Sequence, residues 1–294
     1  MKMMQGMLIA LAPATLAALW FYRLDAFLLI IVSTVAAVAA EALWQLAMKT
    51  PIKVKDLSAV VTGLIFGLTL SPSLPLYIAV IGAAFGVIAG KHIWGGFGKN
   101  VFNPALFGRL FIVLFFPGTM APWLSPVDMA TSATPLQIFR AEGLTTPLLP
   151  LFTGNVAGCI GEASAIALLL GFGWLVYKKY ANWRIPAGII ASITVISLIA
   201  GQNPLFHILS GSLLLGAVFM ATDPATSPKT QLGRWLFGIG VGAIIMAMRF
   251  WSPFVEGTTF AILGMNILVP VLNVQTQPQK KKQPAQPAVQ KETA

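Results

Sequence analysis

Thr62-Gly-Leu-Ile-Phe-Gly-Leu-Thr-Leu-Ser-Pro72 is an apolar run that stops before it can cross a bilayer. A transmembrane helix needs about 20 apolar residues, and the run 57–71 ends short of that at Ser71-Pro72-Ser73. An echo stands in the second half of the chain: Ser210-Gly-Ser-Leu-Leu-Leu-Gly-Ala-Val-Phe-Met220, which continues to Asp223-Pro224 and Ser227-Pro228. Ala105-Leu-Phe-Gly108, ending at Pro117, is likewise echoed by Ala261-Ile-Leu-Gly264, ending at Pro270. Short, proline-interrupted segments in matching positions of two halves point to broken or re-entrant helices buried inside a membrane protein. Glycine- and leucine-rich helices also resemble one another by chance, so the repeat stands as an expectation.

Composition agrees with a bilayer as the solvent. The 294 residues are 57% hydrophobic and only 10% charged, with a mean hydropathy of +0.81, where soluble domains carry about 25% charged residues. Ten apolar segments follow one another, at 7–22, 26–48, 57–71, 74–90, 101–117, 155–177, 185–200, 205–221, 232–249 and 258–273. The expected fold is therefore all-α and polytopic, with about ten transmembrane helices. If the two halves repeat, five crossings each make the second half inverted relative to the first. Residues 1–274 form the transmembrane domain, with the loop 118–150 projecting from it. The Gln/Pro/Lys-rich stretch 275–294 cannot bury a core and is expected to be a disordered cytoplasmic tail. Met1-Lys-Met-Met-Gln and the apolar run behind it resemble a signal peptide, but no polar cleavage region follows, so a retained first helix is expected.

The net charge of +10 is an orientation signal rather than a nucleic-acid footprint. With the N-terminus in the cytoplasm and every segment crossing, fifteen Lys and Arg residues fall on the cytoplasmic side. Only Arg23, Arg140 and Arg249 fall outside, and Arg109 lies within a segment. This bias puts both termini in the cytoplasm and the loop 118–150 outside.

Few residues are equipped for chemistry. Cys159 is the only cysteine, which excludes an internal disulfide and any all-cysteine metal or iron–sulfur site built by this chain alone. A packed thiol is the expectation there. His92 and His207 are expected at interfaces, and no His/Asp/Glu spacing marks a metal site. Gly82-x-x-x-Gly86-x-x-x-Gly90 is a small-residue face for close helix contact. Gly238-x-Gly-x-Gly242 lies in an apolar span and is no nucleotide loop. Arg109 is costly at membrane depth and so is a candidate functional residue, with Glu41 and Glu162 as candidate counter-ions. Asn103 and Asp223 stand beside prolines at segment ends, as caps or turns first and as ligand contacts second. The loop 118–150 offers Asp128 and the hydroxyls of Thr131, Ser132 and Thr134 next to small side chains, which taken alone is an ordinary turn composition.

Asp128-x-x-Thr131-Ser132-Ala133-Thr134 resembles the flavinylation motif Asp-x-x-(Ser/Thr)-(Gly/Ser)-Ala-Thr, in which an exported transferase moves FMN from FAD onto the last threonine as a phosphoester. Its surroundings resemble one family in the same order: Gly98-Lys-Asn-Val-Phe-Asn-Pro-Ala-Leu-Phe-Gly-Arg109, Gly154-Asn-Val-Ala-Gly-Cys-Ile-Gly-Glu-Ala-Ser164, Trp183-Arg-Ile-Pro186, Met220-Ala-Thr-Asp-Pro-Ala-Thr-Ser-Pro228 and Ala261-Ile-Leu-Gly-Met-Asn266. That family comprises the D subunit of the Rnf electron-transport complex and its relative, the B subunit of the sodium-pumping NADH:quinone oxidoreductase. The resemblance covers most of residues 55–273. Ser132 stands where glycine is common, and the chain lacks the long N-terminal extension of the quinone-reductase subunit, which favours the Rnf subunit.

The resemblance implies a urea-transporter-like arrangement and FMN bound covalently to Thr134, with Asp128, Thr131 and Ser132 as the recognition motif. Arg109 and Asn103 are further candidates to contact the cofactor, and a second, noncovalent flavin such as riboflavin is compatible with it. It also implies a place in an inner-membrane complex that exchanges electrons between ferredoxin and NAD while moving Na+ or H+. The implied partners are membrane iron–sulfur subunits, a peripheral iron–sulfur subunit, a second FMN-bearing subunit, and the flavin transferase during maturation. No residue is expected to be catalytic by itself. Without a flavin, the chain would instead read as a channel or transporter for a small solute, or as a membrane scaffold.

Overall fold

The computed structural model describes residues 2–120 and 122–277. The tail expected to be disordered lies almost wholly outside the described residues. Among the described residues, twelve α-helices follow in chain order, and the one isolated pairing of extended residues is Leu124 with Thr131. The expectation of an all-α chain holds.

Helix α1 (Lys2–Ala47) would be about 70 Å long at 1.5 Å per residue, far more than one bilayer. It breaks at Arg23 (φ 47°, ψ −118°), so the apolar runs 7–22 and 26–48 become two arms joined at one non-helical residue. Three of the described helices are long and apolar enough to cross a membrane: α1, α11 (Gln231–Trp251) and α12 (Thr258–Gln275). The shorter apolar ones are α2 (Ser58–Leu68), α3 (Leu76–Val87), α4 (Pro104–Phe115), α7 (Ala165–Tyr177) and α8 (Arg184–Ile199). α3 runs on into a π turn at Ile88–His92.

α2 ends inside the protein as its sequence suggested. Thr69, Leu70 and Ser71 are fully buried. Thr69 bonds back to the Phe66 carbonyl, and other polar groups of this turn find partners from distant segments, as backbone at membrane depth must. Ser71 and Ser73 donate their hydroxyls to the carbonyl of Pro122, and Ile160 donates its N–H to the carbonyl of Leu70.

The run 205–221 is not one continuous helix. It splits into α9 (Pro204–Leu209) and α10 (Leu213–Leu215), which continues as a π turn at Gly216–Met220. Between them lies Gly211, in the left-handed region (φ 69°). The carbonyls freed at this break are met by Arg249 from α11, whose Nη1 lies 2.5 Å from the His207 oxygen and Nη2 2.8 Å from that of Ser210. His207, expected at an interface, is fully buried here, its ring packed among Phe139, Phe206 and Phe250. In the run 155–177 only the part from Ala165 onward is α-helical.

Glycines bring the helices together. A Cβ on Gly86 would lie 2.5 Å from the Pro104 oxygen, and one on Gly108 would lie 2.5 Å from the Gly82 oxygen, so α3 and α4 meet backbone to backbone. α8 and α11 do the same at Gly188 and Gly242, the latter's Cβ falling 2.7 Å from the Ile189 oxygen. α3 packs on α1 and on α4; α11 packs on α8 and on α12; α4 and α12 then touch each other. One continuous core runs through these helices. A small satellite core of Leu136, Leu151 and Phe206 lies apart from it, under α5 (Pro135–Glu142) and α6 (Leu148–Thr153).

Candidate functional site around Thr134

The segment 118–150 is more ordered than a loop. Ser125 donates its N–H to the Ala130 carbonyl at 2.8 Å, and Ser132 donates to that of Trp123 at 2.9 Å, closing a tight hairpin. Asp128 stands at its tip and accepts the N–H of Ala130 at 3.2 Å. That bond, with the Ser125 hydroxyl, holds the Asp128 carboxyl below the usual carboxylate range. Asp128, Thr131, Ser132 and Ala133 are exposed.

Burial begins at Thr134, which is 7% exposed. It is the N-cap of α5. Its Oγ1 accepts the N–H of Gln137 at 3.2 Å, while Gln137 Oε1 accepts the N–H of Thr134 at 2.9 Å, with Pro135 at the first helical position. This reciprocal capping box satisfies two donors that a bare helix end leaves open. Thr-Pro-Leu-Gln carries the signature of such a box, and Gln137 is the residue that the reading of the loop as a plain turn missed.

Thr134 and Gln137 line a partly open cavity of about 250 Å³. Its walls include Phe116, Trp123, Phe254 and Phe260, and its polar groups include Arg109, Glu256 and Thr259. Arg109 comes from α4 and is 4% exposed. Its Nη2 lies 2.5 Å from Glu256 Oε2 and 3.3 Å from Cys159 Sγ. Ser212 adds its hydroxyl to the same Glu256 oxygen at 3.1 Å. Glu256, just before α12, is thus the counter-ion of Arg109, and Glu41 is not. Glu162 does join the group, since donor atoms of Cys159, Glu162 and Glu256 lie within 4.8 Å of one another. Three potential metal ligands therefore converge, which no spacing along the chain shows, but the Arg109 guanidinium already supplies the positive charge among them.

Glu41 belongs to a different cluster, near the start of α4. Lys91, expected among the solvated orientation charges, is 2% exposed and donates to both Glu41 oxygens, at 2.8 and 2.9 Å, and to Ser58 Oγ at 2.6 Å. Gln45 Nε2 lies 3.2 Å and His92 Nε2 3.4 Å from the same carboxylate. Asn103 also sits at this end. Its side chain caps α4 by accepting the N–H groups of Ala105 and Leu106, and it donates to the Met220 carbonyl at 3.2 Å. Asn266 reaches in from α12, accepting the N–H of Asn103 at 3.3 Å and donating to the Thr226 carbonyl at 2.9 Å. Lys91, Asn103 and Asp223 line a smaller cavity of about 60 Å³. Of the six residues expected at a cofactor site, then, Thr134 and Arg109 share one cavity. Asp128, Thr131 and Ser132 form the exposed hairpin leading to it, and Asn103 lies elsewhere.

Known proteins resemble this chain over most of its length. Residues 1–282 match the model of the NQR2, RnfD, RnfE family. The chain is 41% identical to the D subunit of the Na+-translocating ferredoxin:NAD+ oxidoreductase complex of Acetobacterium woodii, over 92% of this chain and 87% of that one. It is 36% identical to the D subunit of the proton-translocating ferredoxin:NAD+ oxidoreductase complex of Clostridium ljungdahlii, over 95% and 91%. A more partial match, 37% identical over 72% of this chain and 58% of the other, is the B subunit of the Na+-translocating NADH-quinone reductase of Pseudomonas aeruginosa. With the ordered motifs, the helical fold and these matches together, the chain belongs to the NQR2, RnfD, RnfE family of membrane proteins.

Proposed function

We propose that this chain is the D-type membrane subunit of an Rnf-type ion-translocating ferredoxin:NAD oxidoreductase and carries FMN as a phosphoester on Thr134. The observation that carries the reading is the position of the Thr134 hydroxyl. It caps α5 at the end of an exposed hairpin bearing the motif residues, and Thr134 lines a cavity with aromatic walls and a buried arginine. The cavity is close to the lower bound of about 300 Å³ for small-molecule sites and is partly open, which suits a ring tethered at its edge. When bound, FMN supplies one-electron transfer between partner redox centres.

The chain's own residues hold and tune. Thr134 fixes the attachment point, Phe116, Trp123, Phe254 and Phe260 offer aromatic surface, and Arg109 brings a positive charge held in place by Glu256. Threonine is a weak nucleophile at its free pKa, so attachment needs an outside catalyst. The charge distribution supports an orientation with both termini in the cytoplasm and Thr134 outside, within reach of an exported transferase. In this reading residues 1–274 are the inner-membrane domain, built of two inverted halves. The partners are membrane and peripheral iron–sulfur subunits and a second FMN-bearing subunit. The cavity of about 60 Å³ at the Lys91 end is too small in this conformation for a noncovalent flavin, and we assign none to it. Moving one cation against about 100 mV costs about 2.3 kcal/mol, which one electron matches by falling through a similar redox drop.

The test is a denaturing gel of protein made together with the transferase. Flavin fluorescence should survive denaturation and vanish in Thr134→Ala. Native protein whose intact mass equals that of the bare polypeptide overturns the proposal.

A further inference from the structure

The motif residues and the acceptor of this segment are differently accessible. Asp128, Thr131, Ser132 and Ala133 are exposed for recognition, yet Thr134, the residue to be modified, is 7% exposed and its Oγ1 is engaged as the cap of α5. A transferase must bring the phosphorus of its donor to about 3–3.5 Å from that oxygen, aligned for attack. Thr134 lines a cavity of about 250 Å³ that is only partly open, so a second protein's active site reaches this nearly buried hydroxyl poorly while α5 is docked.

What holds the acceptor in place is small. α5 is a helix of 8 residues. It is pinned through Leu136 to the satellite core of three buried residues rather than to the main core. Phe139 packs on Phe206 and His207 with centroids at 5.2 and 5.4 Å. Arg140 donates to the carbonyls of Arg249 and Ser252. Units held by so few contacts open locally at a fraction of the cost of global unfolding.

We propose that Thr134 is modified only while α5 is undocked, so that release of the Phe139–Arg140 latch gates flavin attachment. This rests on the proposed flavinylation of Thr134. The transfer forms a bond between Oγ1 and the FMN phosphorus of FAD and breaks the pyrophosphate P–O bond. AMP leaves, and the hydroxyl proton passes to a base of the transferase. α5 then redocks with its cargo at the cavity edge.

The experiment uses the full chain, purified unmodified in detergent, with FAD and purified transferase. Covalent flavin is followed by intact mass over time. At rising transferase concentration the wild-type rate should plateau at the opening rate of α5. Phe139→Ala should raise the rate by about threefold or more, with the same final stoichiometry. Should Phe139→Ala not fold, Arg140→Ala, which removes an exposed side chain, carries the test in the same direction. A rate that stays proportional to transferase and is equal in wild type and the folded latch variant overturns the gate while leaving attachment intact. Absence of covalent flavin in every sample, with a transferase active on another substrate, sinks the attachment itself.

Discussion

Two clusters along α4, one beside its first residue and one at Arg109 midway along it, solve the problem of a buried charge differently. At the Asn103 end, Lys91 and Glu41 are closely matched: both carboxylate oxygens take a bond from Lys91, Gln45 adds another, and the remaining ammonium bond goes to Ser58, which leaves only the neighbouring His92 Nε2 without a hydrogen bond among the described residues there. At the Arg109 end the matching is incomplete. Glu256 is 22% exposed at its side chain and serves both Arg109 and Ser212. Glu162 Oε1, Ser210 Oγ and Arg249 Nε are buried without a hydrogen-bond partner among the described residues. A saturated network specifies a packing, whereas unmatched buried polar groups are places where something further is accommodated. The difference separates a nearly saturated structural lock at the Lys91 end from the proposed cofactor cavity at the Thr134 end.

The sharpest way to break that comparison is Lys91→Met. It leaves Glu41 charged and buried, which costs about 3–5 kcal/mol, whereas the double variant Lys91→Met/Glu41→Leu should recover most of the loss. Thermal unfolding in detergent, followed by tryptophan fluorescence, reads both. A single variant as stable as wild type would remove the lock from the account. Next in size is Glu256→Ala. Arg109 keeps Cys159 at 3.3 Å and Glu162 nearby, and the lost carboxylate was already partly solvated, so the expected cost is about 1.5–3 kcal/mol, below that of Lys91→Met. Equal losses at the two ends would erase the distinction.

These pairings mark where sequence reasoning stops. Hydropathy and prolines located the helices well: the run 101–117 became Pro104–Phe115, and Asn103-Pro104 announced its start. They did not show that Lys91 is buried, because its partner lies 50 residues away, nor that Glu256 answers Arg109 across 147 residues. Charge alone put Lys91 with the solvated lysines, and only tertiary packing reverses that. The split of 205–221 was hidden for another reason. Gly211 adopts a positive φ, and an apolar average is blind to one reversed residue. In the segment 118–150 the proposed acceptor threonine was legible from its motif. The helix it caps was legible too, in the spacing of Thr134 and Gln137, but a proline-rich stretch invites the simpler label of a turn.

Both ends carry an N-cap followed by proline, which gives a finer test. Asn103→Ala removes the cap of α4 and the bond to the Met220 carbonyl, so a global loss of about 1–2 kcal/mol is expected. Thr134→Ala should cost about 1 kcal/mol, and the loss should be confined to α5. Amide exchange separates them: faster exchange limited to residues 136–142 in Thr134→Ala, and broadly faster exchange in Asn103→Ala. Spread of the Thr134→Ala effect into α4 would join the satellite core to the main one.

The smallest effect belongs to Asp128. Its carboxyl is held below the ordinary range by the Ala130 N–H and the Ser125 hydroxyl. A depressed carboxyl pKa contributes stability that is fully present above the unfolded value and is lost as pH falls through the folded one. The hairpin tip should therefore keep its structure at neutral pH and loosen only once the pH has dropped below the usual carboxylate range. Because the side chain is solvent-exposed, the loosening should be local, showing as faster exchange of the Ala130 amide than the intrinsic acid dependence predicts, with no change at Gln137. Asp128→Asn should abolish that pH step and leave the α5 cap intact. A pH step that persisted in Asp128→Asn, or that reached Gln137, would mean that the exposed hairpin and the buried Thr134 cap titrate as one unit, and the separation between exposed motif residues and buried hydroxyl would not hold.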